Sequence, residues 1–325
     1  MTVVFLPGNH YNKVSLQKKQ LLLFVFGKKE SLMHDYVIFV DTSADIDPAY
    51  AAANDIRFVP MHYTLGSEDR CCSHMEDDDL LKRFYDGQRK GDLTQTSQIT
   101  PSVYLDLFAP ILAEGRSIIY LSLSSGLTKT FDNVLVAKQE LDEEYPAAKL
   151  YPVDSLQATG GIALLAEKAV ENRAAGMSAA DNAAFLADAA HKVCLCVMVD
   201  DLMYLKRGGR CPATTAVLGT MLNVKPILII ADDGTLATIN KKRGEKLALK
   251  ELLTQYMNAR DASLGNRCYL THADCRGRAE TLAGMIKAEN PDADITIMGE
   301  SPIIGAHTGP GTILITFWGD RSKLK

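Results

Sequence analysis

Basic charge is in short supply. The 325 residues carry 35 Lys and Arg against 40 Asp and Glu, a formal net charge of −5. That excludes a protein that coats nucleic acid, which needs a basic face to neutralise phosphates. Long apolar runs are missing too. Leu21 to Phe26 is a run of six, far below the roughly 20 residues that span a bilayer, so no stable membrane insertion is expected. The seven cysteines include adjacent Cys71-Cys72 and the C-x-C pair Cys194 and Cys196, but no C-x-x-C and no tetrahedral zinc spacing. With no N-x-S/T sequon either, a disulfide-built secreted protein is excluded and a reducing cytoplasm fits. No G-x-x-x-x-G-K-[ST] phosphate loop and no G-x-S-x-G nucleophile elbow occurs. Neither a metal nor a cofactor is expected.

What is there is ordinary globular material, 47% hydrophobic and 23% charged, and long enough for two domains. The first 33 residues differ from the rest. Lys18, Lys19, Lys28 and Lys29 flank the short apolar run, which allows a signal h-region. The plainer reading is a disordered leader or an upstream mis-start, because Met33 directly precedes the first good strand. The body then alternates two patterns. Tyr36 to Val40, Ile118 to Leu121, Val193 to Val199, Ile227 to Ala231 and Ile313 to Phe317 are apolar runs of strand length. Helical periods lie between them: Tyr104, Leu107, Phe108, Ile111 and Leu112; Leu127, Phe131, Val134, Leu135 and Leu141; Ile162, Leu165, Ala166 and Ala169; Ala248, Leu252, Leu253 and Tyr256. Thr100-Pro101 is a helix start, and the run Glu76-Asp77-Asp78-Asp79 suits a helix N-terminus. Strands separated by helices predict an α/β fold of two domains, with mostly parallel sheets under covering helices and a ligand site near the domain interface. Alanine enrichment from Ala158 to Ala190 puts the boundary near 158, giving an N-terminal domain of 34–157 and a C-terminal domain of 158–325.

Three loops carry candidate chemistry. Ser124-Ser125-Gly126 follows a buried-type strand, with a helix expected from Leu127. That arrangement can aim free backbone N–H groups at an anion, or the serines can simply cap the helix. Thr94 to Pro101 is dense in hydroxyls, either as ligand donors or as a polar turn. Ile303 to Thr312, I-I-G-A-H-T-G-P-G-T, surrounds His307 with small residues and predicts a tight loop; a lone histidine is commonly structural, but this setting presents it. Ser, Thr and His together can hold a carboxylate by several hydrogen bonds with no permanent Arg partner.

These pieces, in order, resemble the DegV family of fatty-acid-binding proteins, which includes the acyl-carrier subunit of bacterial fatty acid kinase. The resemblance runs from about Tyr36 to Trp318. It begins with V-D-T-S-A-D at Val40 to Asp45, T-S-Q at Thr96 to Gln98, L-S-S-G-L at Leu123 to Leu127 and V-D-S at Val153 to Ser155. It continues with Y-L-K-R-G-G-R at Tyr204 to Arg210, G-x-x-L-N-V-K-P-I-L at Gly219 to Leu228, K-R-G at Lys242 to Gly244 and I-G-A-H-T-G-P-G at Ile304 to Gly311. Thr42-Ser43 in swapped order, Ile99-Thr100 and Cys211-Pro212 depart from the family pattern and leave chain-length preference open.

The resemblance implies two α/β domains, with the acyl chain of a long-chain fatty acid buried in the first and its carboxylate near the interface. Thr96 and Ser125 would hydrogen-bond the carboxylate, His307 would complete the network, and Ser97 and the Gly126 backbone would be neighbours. A separate fatty acid kinase would phosphorylate the bound acyl group, so the carrier itself would have no catalytic residues. Lys241, Lys242 and Arg243 align with a region linked to kinase docking; a solvated charged turn is the other reading. Rival functions are a small-molecule kinase relative or carbonyl-handling enzyme using His307, a serine hydrolase using Ser125 and His307, and a sensory lipid-binding module.

Overall fold

The computed structural model describes residues 36–72, 77–210 and 223–325. The leader 1–33, Glu76, Cys211-Pro212 and Gly219 to Leu222 lie outside the described residues.

In chain order the strands are β1 (Tyr36–Asp41), β2 (Ile56–Val59), β3 (Met61–Leu65), β4 (Glu68–Cys72), β5 (Thr94–Ser97), β6 (Ser117–Ser122) and β7 (Leu150–Asp154). They continue with β8 (Val193–Met198), β9 (Val224–Ile230), β10 (Leu236–Arg243), β11 (Arg267–His272), β12 (Asp294–Gly299) and β13 (Ile313–Trp318). The first sheet has the order β2-β1-β6-β7 and is wholly parallel. Every residue of β1 is buried, as expected of a strand covered on both faces by crossover helices. One cover is the helix Pro101–Ala113, whose Tyr104, Leu107, Phe108, Ile111 and Leu112 are all buried. Phe108 meets Phe39 edge-on at 5.0 Å. Thr100 sits at the N-cap with Pro101 in the first turn, but its hydroxyl pairs with Ser102 Oγ at 2.9 Å rather than capping the backbone. At the next acidic start the cap is made, with Leu80 N–H donating to Asp77 Oδ1 at 2.8 Å.

The parallel expectation does not extend to the second sheet. Its order is β10-β9-β8-β13-β11-β12, and only the β11–β12 pairing is parallel. Two causes are visible. β9 and β10 form a hairpin through Asp233-Gly234, a turn signal that fixes antiparallel pairing. The last strand, β13, then inserts antiparallel between β8 and β11. Alternation along β8 divides this sheet's faces. Cys194, Cys196 and Met198 pack into a core with the helices Glu245–Ala259 and Arg276–Glu289, while Leu195 and Val197 face a cavity. The alanine-rich helix Gly160–Ala174 touches strands of both large sheets. Gly160 to Ala166 is buried throughout, which is where small side chains are needed for close approach.

The helix after Ser124-Ser125-Gly126 runs over Thr130–Glu144, not from Leu127. Val134, Ala137 and Leu141 form its buried face, whereas Leu135 is 41% exposed. The face anticipated through Leu135 is therefore rotated. Among the described residues no helix is long and apolar enough to cross a membrane.

Candidate functional site

Thr94 to Ser97 is not a polar turn but strand β5, antiparallel to β3, with Thr96 opposite Tyr63. Nor is Ile303 to Thr308 a loop. It belongs to the helix Pro302–Thr308, entered through Ser301 as N-cap with Pro302 in its first turn. This helix is laid against the earlier part of the chain by hydrogen bonds. Gln88 Nε2 donates to Gly305 O at 2.9 Å, and Thr94 Oγ1 donates to Ala306 O at 3.1 Å. The result brings His307 Nε2 to 2.8 Å from Thr96 Oγ1. These two residues are far apart in sequence and were singled out separately.

His307 Nδ1 is buried with no partner. The Gly208 backbone lies against it, so close that a Cβ there would be 2.2 Å from Nδ1. Burial, and next the nearby Arg210, pushes the His307 pKa down to about 4, so the imidazole is neutral at pH 7. A neutral ring with Nε2–H pointing at Thr96 frees the threonine hydroxyl to donate onward to an anion.

The serine loop behaves differently from the anion-binding turn expected of it. Ser124 N–H donates to Gln157 O at 2.9 Å, Ser125 N–H to Asp154 Oδ1 at 3.1 Å and Gly126 N–H to Ser124 Oγ at 3.2 Å. Those donors are thus used inside the protein, and the helix begins too late for its N-terminus to contribute. Ser124 Oγ instead donates to Gly234 O at 2.8 Å, pinning the loop to the β9–β10 hairpin. Gly126 is required there, since a Cβ would fall 2.4 Å from the Gly234 carbonyl carbon. No hydrogen bond joins Ser125 to Thr96 or His307.

Around these residues lie two connected spaces. A largely apolar cavity takes its wall mainly from the second sheet, with Leu195, Val197, Ile230 and Leu314 among its lining. Thr96, Ser97 and His307 are its polar lining, with Thr308 beside them. A more open cleft carries Ser125 and Gly126, and shares Gln98, Leu127, Thr128, Arg210 and Leu236 with the cavity. The apolar space therefore draws more on the second sheet than on the first, where the family resemblance implied it.

Arg210 was missed by sequence reasoning. It donates from Nε to Leu127 O at 3.1 Å and from Nη1 to Gly208 O. Burial lowers its pKa, and among the described residues no carboxylate pairs with it. The expectation of a carboxylate site without a permanent Arg is not what the geometry offers: a half-buried guanidinium stands where cavity and cleft meet. The sequence signal was there, in Y-L-K-R-G-G-R, but nothing in it says which cation turns inward.

Lys241, Lys242 and Arg243 line neither space. They end β10, an edge strand of the second sheet, instead of forming a turn. Lys242 pairs with Glu251 at 2.9 Å, while Lys241 and Arg243 are exposed. Among the described residues no group of three or more His, Cys, Asp or Glu could hold a metal ion.

An apolar cavity walled mainly by the second sheet, lined also by hydroxyls, a neutral imidazole and a guanidinium with no acidic partner among the described residues, defines the class. The chain belongs to the DegV family, described as uncharacterised, whose model matches residues 35–319. A DegV domain-containing protein of Clostridium perfringens is 33% identical over 295 residues, covering 90% of this chain and all of the relative. Among solved structures, the Streptococcus pneumoniae fatty acid kinase B3 protein loaded with linoleic acid superposes with a TM-score of 0.77 at 21% identity, over 88% of this chain and 99% of that one. A fatty-acid-binding DegV family protein from Thermus thermophilus gives 0.76 at 23% identity, over 88% and 100% of the two chains.

Proposed function

We propose that this protein is a non-catalytic carrier of a long-chain fatty acid, with the acyl chain in the apolar cavity and the carboxylate at the Thr96–His307–Arg210 cluster. The observation that carries this reading is the pairing of an apolar wall with a guanidinium on its lining that has no acidic partner among the described residues. A carboxylate supplies the missing charge, and an alkyl chain fills the wall. About fourteen buried methylenes at about 0.8 kcal/mol each contribute roughly 11 kcal/mol gross, from which immobilisation and desolvation subtract. The tail therefore sets affinity, and the polar cluster sets orientation. Ser125 and Gly126 line the way out, where the carboxylate is presented, and Ser97 stands beside Thr96 in the cavity. The names of the solved S. pneumoniae and T. thermophilus proteins support the ligand class, and the former supports a kinase partner.

Lys241 and Arg243 are assigned to docking that kinase. They share β10 with Leu236 of the cleft, about 17 Å along the strand for Lys241 and about 23 Å for Arg243 at about 3.3 Å per residue. The hydrolase alternative needs a nucleophile–base hydrogen bond between Ser125 and His307, and none is formed.

Incubation with ATP, magnesium, fatty acid and a fatty acid kinase catalytic subunit tests the reading. Acyl phosphate is expected only when kinase and carrier are both present. Reversing Lys241 and Arg243 to Glu is expected to cut transfer at least tenfold while leaving fatty-acid affinity unchanged. Turnover of ATP or fatty acid by this protein alone would contradict the carrier role.

A further inference from the structure

Beside the ligand cluster, but not lining it, lie two carboxyl groups that no feature of the carrier reading uses. Asp45, just after β1, and Glu300, just after β12, are both fully buried, at 0% exposure. Asp45 Oδ1 accepts from Ser301 N–H at 3.0 Å. Glu300 Oε2 accepts from Thr308 Oγ1 at 2.8 Å and from Tyr85 Oη at 3.2 Å, and the Glu300 carbonyl accepts from the same Tyr85 hydroxyl at 2.9 Å. Asp45 Oδ2, Glu300 Oε1 and Ser301 Oγ have no partner. Ser301 and Thr308 are the two ends of the helix that carries His307.

We propose that Glu300 is a positioning residue for ligand capture: with Asp45 it clamps both ends of the helix Pro302–Thr308, and so fixes His307 against Thr96. This rests on the carrier reading for its consequence, but the clamp itself does not. Two buried carboxylates with no cation paired to them among the described residues cannot both be charged without a large desolvation cost. The groups facing Glu300 are Asp45 on the loop after β1, Tyr85 on the helix Asp78–Lys90, and Cys275 at the start of the helix Arg276–Glu289, with the His272 carbonyl accepting from Glu300 N–H at 2.8 Å. None is positive. Burial, reinforced by Asp45, raises the Glu300 pKa to about 8, and burial likewise raises Asp45. At neutral pH Glu300 is a neutral acid. Its Oε2 then accepts from Tyr85 and Thr308 while Oε1 carries the proton, an arrangement a glutamine side chain reproduces.

The sign follows from linkage. A carboxyl whose pKa is raised by folding binds its proton more tightly in the native state, so its contribution is complete below the ordinary carboxylic range. It is lost as pH rises from there through about 8. Ionised Glu300 would also add a negative charge near the place of the ligand carboxylate.

The test compares wild type, Glu300→Gln and Glu300→Ala at pH 6 and pH 9. Palmitate affinity is read by calorimetry, and the His307 ring resonances by NMR without ligand. Wild type is expected to lose at least tenfold in affinity at pH 9, with a shift of the His307 resonances. Glu300→Gln is expected to bind like wild type at pH 6 and to show markedly less of both changes at pH 9. Glu300→Ala is expected to bind at least tenfold more weakly at both pH values. The His307 pKa of about 4 lies well outside this window, so its own titration does not enter; Asp45, raised to about 7 by burial, titrates within it in wild type and Glu300→Gln alike, so the difference between their profiles reports Glu300. The same pH profile in wild type and Glu300→Gln would overturn the proposal. If no variant binds palmitate, the carrier reading fails, and the resonances measured without ligand still decide the clamp: a shift markedly larger in wild type than in Glu300→Gln supports it, and identical behaviour refutes it.

Discussion

Replacing Arg210 by leucine is expected to weaken long-chain fatty-acid binding about a hundredfold, without a matching loss of thermal stability. Hydrogen bonds to a charged group contribute about 1.5–3 kcal/mol each, and a cation beside an anion in a half-buried cleft adds attraction that bulk water would screen. Among the described residues the guanidinium has no carboxylate partner and bonds to the Leu127 and Gly208 carbonyls. Its burial is therefore a cost held in reserve for the ligand. Removing it relieves that cost while leaving two carbonyls to water or to each other's surroundings, so the melting temperature should stay close to wild type. Arg210→Lys should recover part of the affinity, since a point charge replaces a planar fork. Calorimetric titration together with a thermal scan separates the two effects. Equal binding by Arg210→Leu, or a large fall in stability with affinity lost only in proportion, would assign Arg210 a structural role instead.

The second large effect concerns the wall. Val197 faces the cavity from the middle of β8, opposite Leu314 on β13. Val197→Phe is expected to shift the preference from long to short acyl chains. Displacing about three or four methylenes at about 0.8 kcal/mol each costs roughly 3 kcal/mol, or on the order of a hundredfold for a sixteen-carbon acid, and much less for a ten-carbon one. A phenyl ring forced into a filled core would instead destabilise the fold by about 1–3 kcal/mol and weaken all chain lengths alike. The ratio of affinities for the two acids, not either value alone, decides between these.

Much of the first sheet was legible because its signals are local. β1, β6 and the helix Pro101–Ala113 are each written in a continuous apolar run or a single helical face. The mixed second sheet was not, although half of its explanation stood in plain sight in the Asp233-Gly234 turn. The other half, β13 entering between β8 and β11, depends on contacts between distant segments that no local pattern encodes. The site shows the same division. Thr96 and His307 could be singled out by residue type, and their 2.8 Å contact needed the helix Pro302–Thr308 to dock on the earlier chain. That helix reads as a loop in the sequence because Gly305 within it and Gly309 and Gly311 just after it mask the helical period, though Ser301-Pro302 is a helix start. The hydroxyl of Ser124 looked interchangeable with that of Ser125 and is in fact spent on Gly234. Glu300 gave no local hint at all, since burial of an acid is a property of its surroundings.

The most direct test is a titration of the purified, delipidated protein with a long-chain fatty acid, read by native mass spectrometry and calorimetry. One equivalent bound per chain, with affinity reduced in Thr96→Val and His307→Ala, is the predicted result. A protein that takes up no fatty acid at any chain length, or binds it equally well in both variants, would contradict the carrier account.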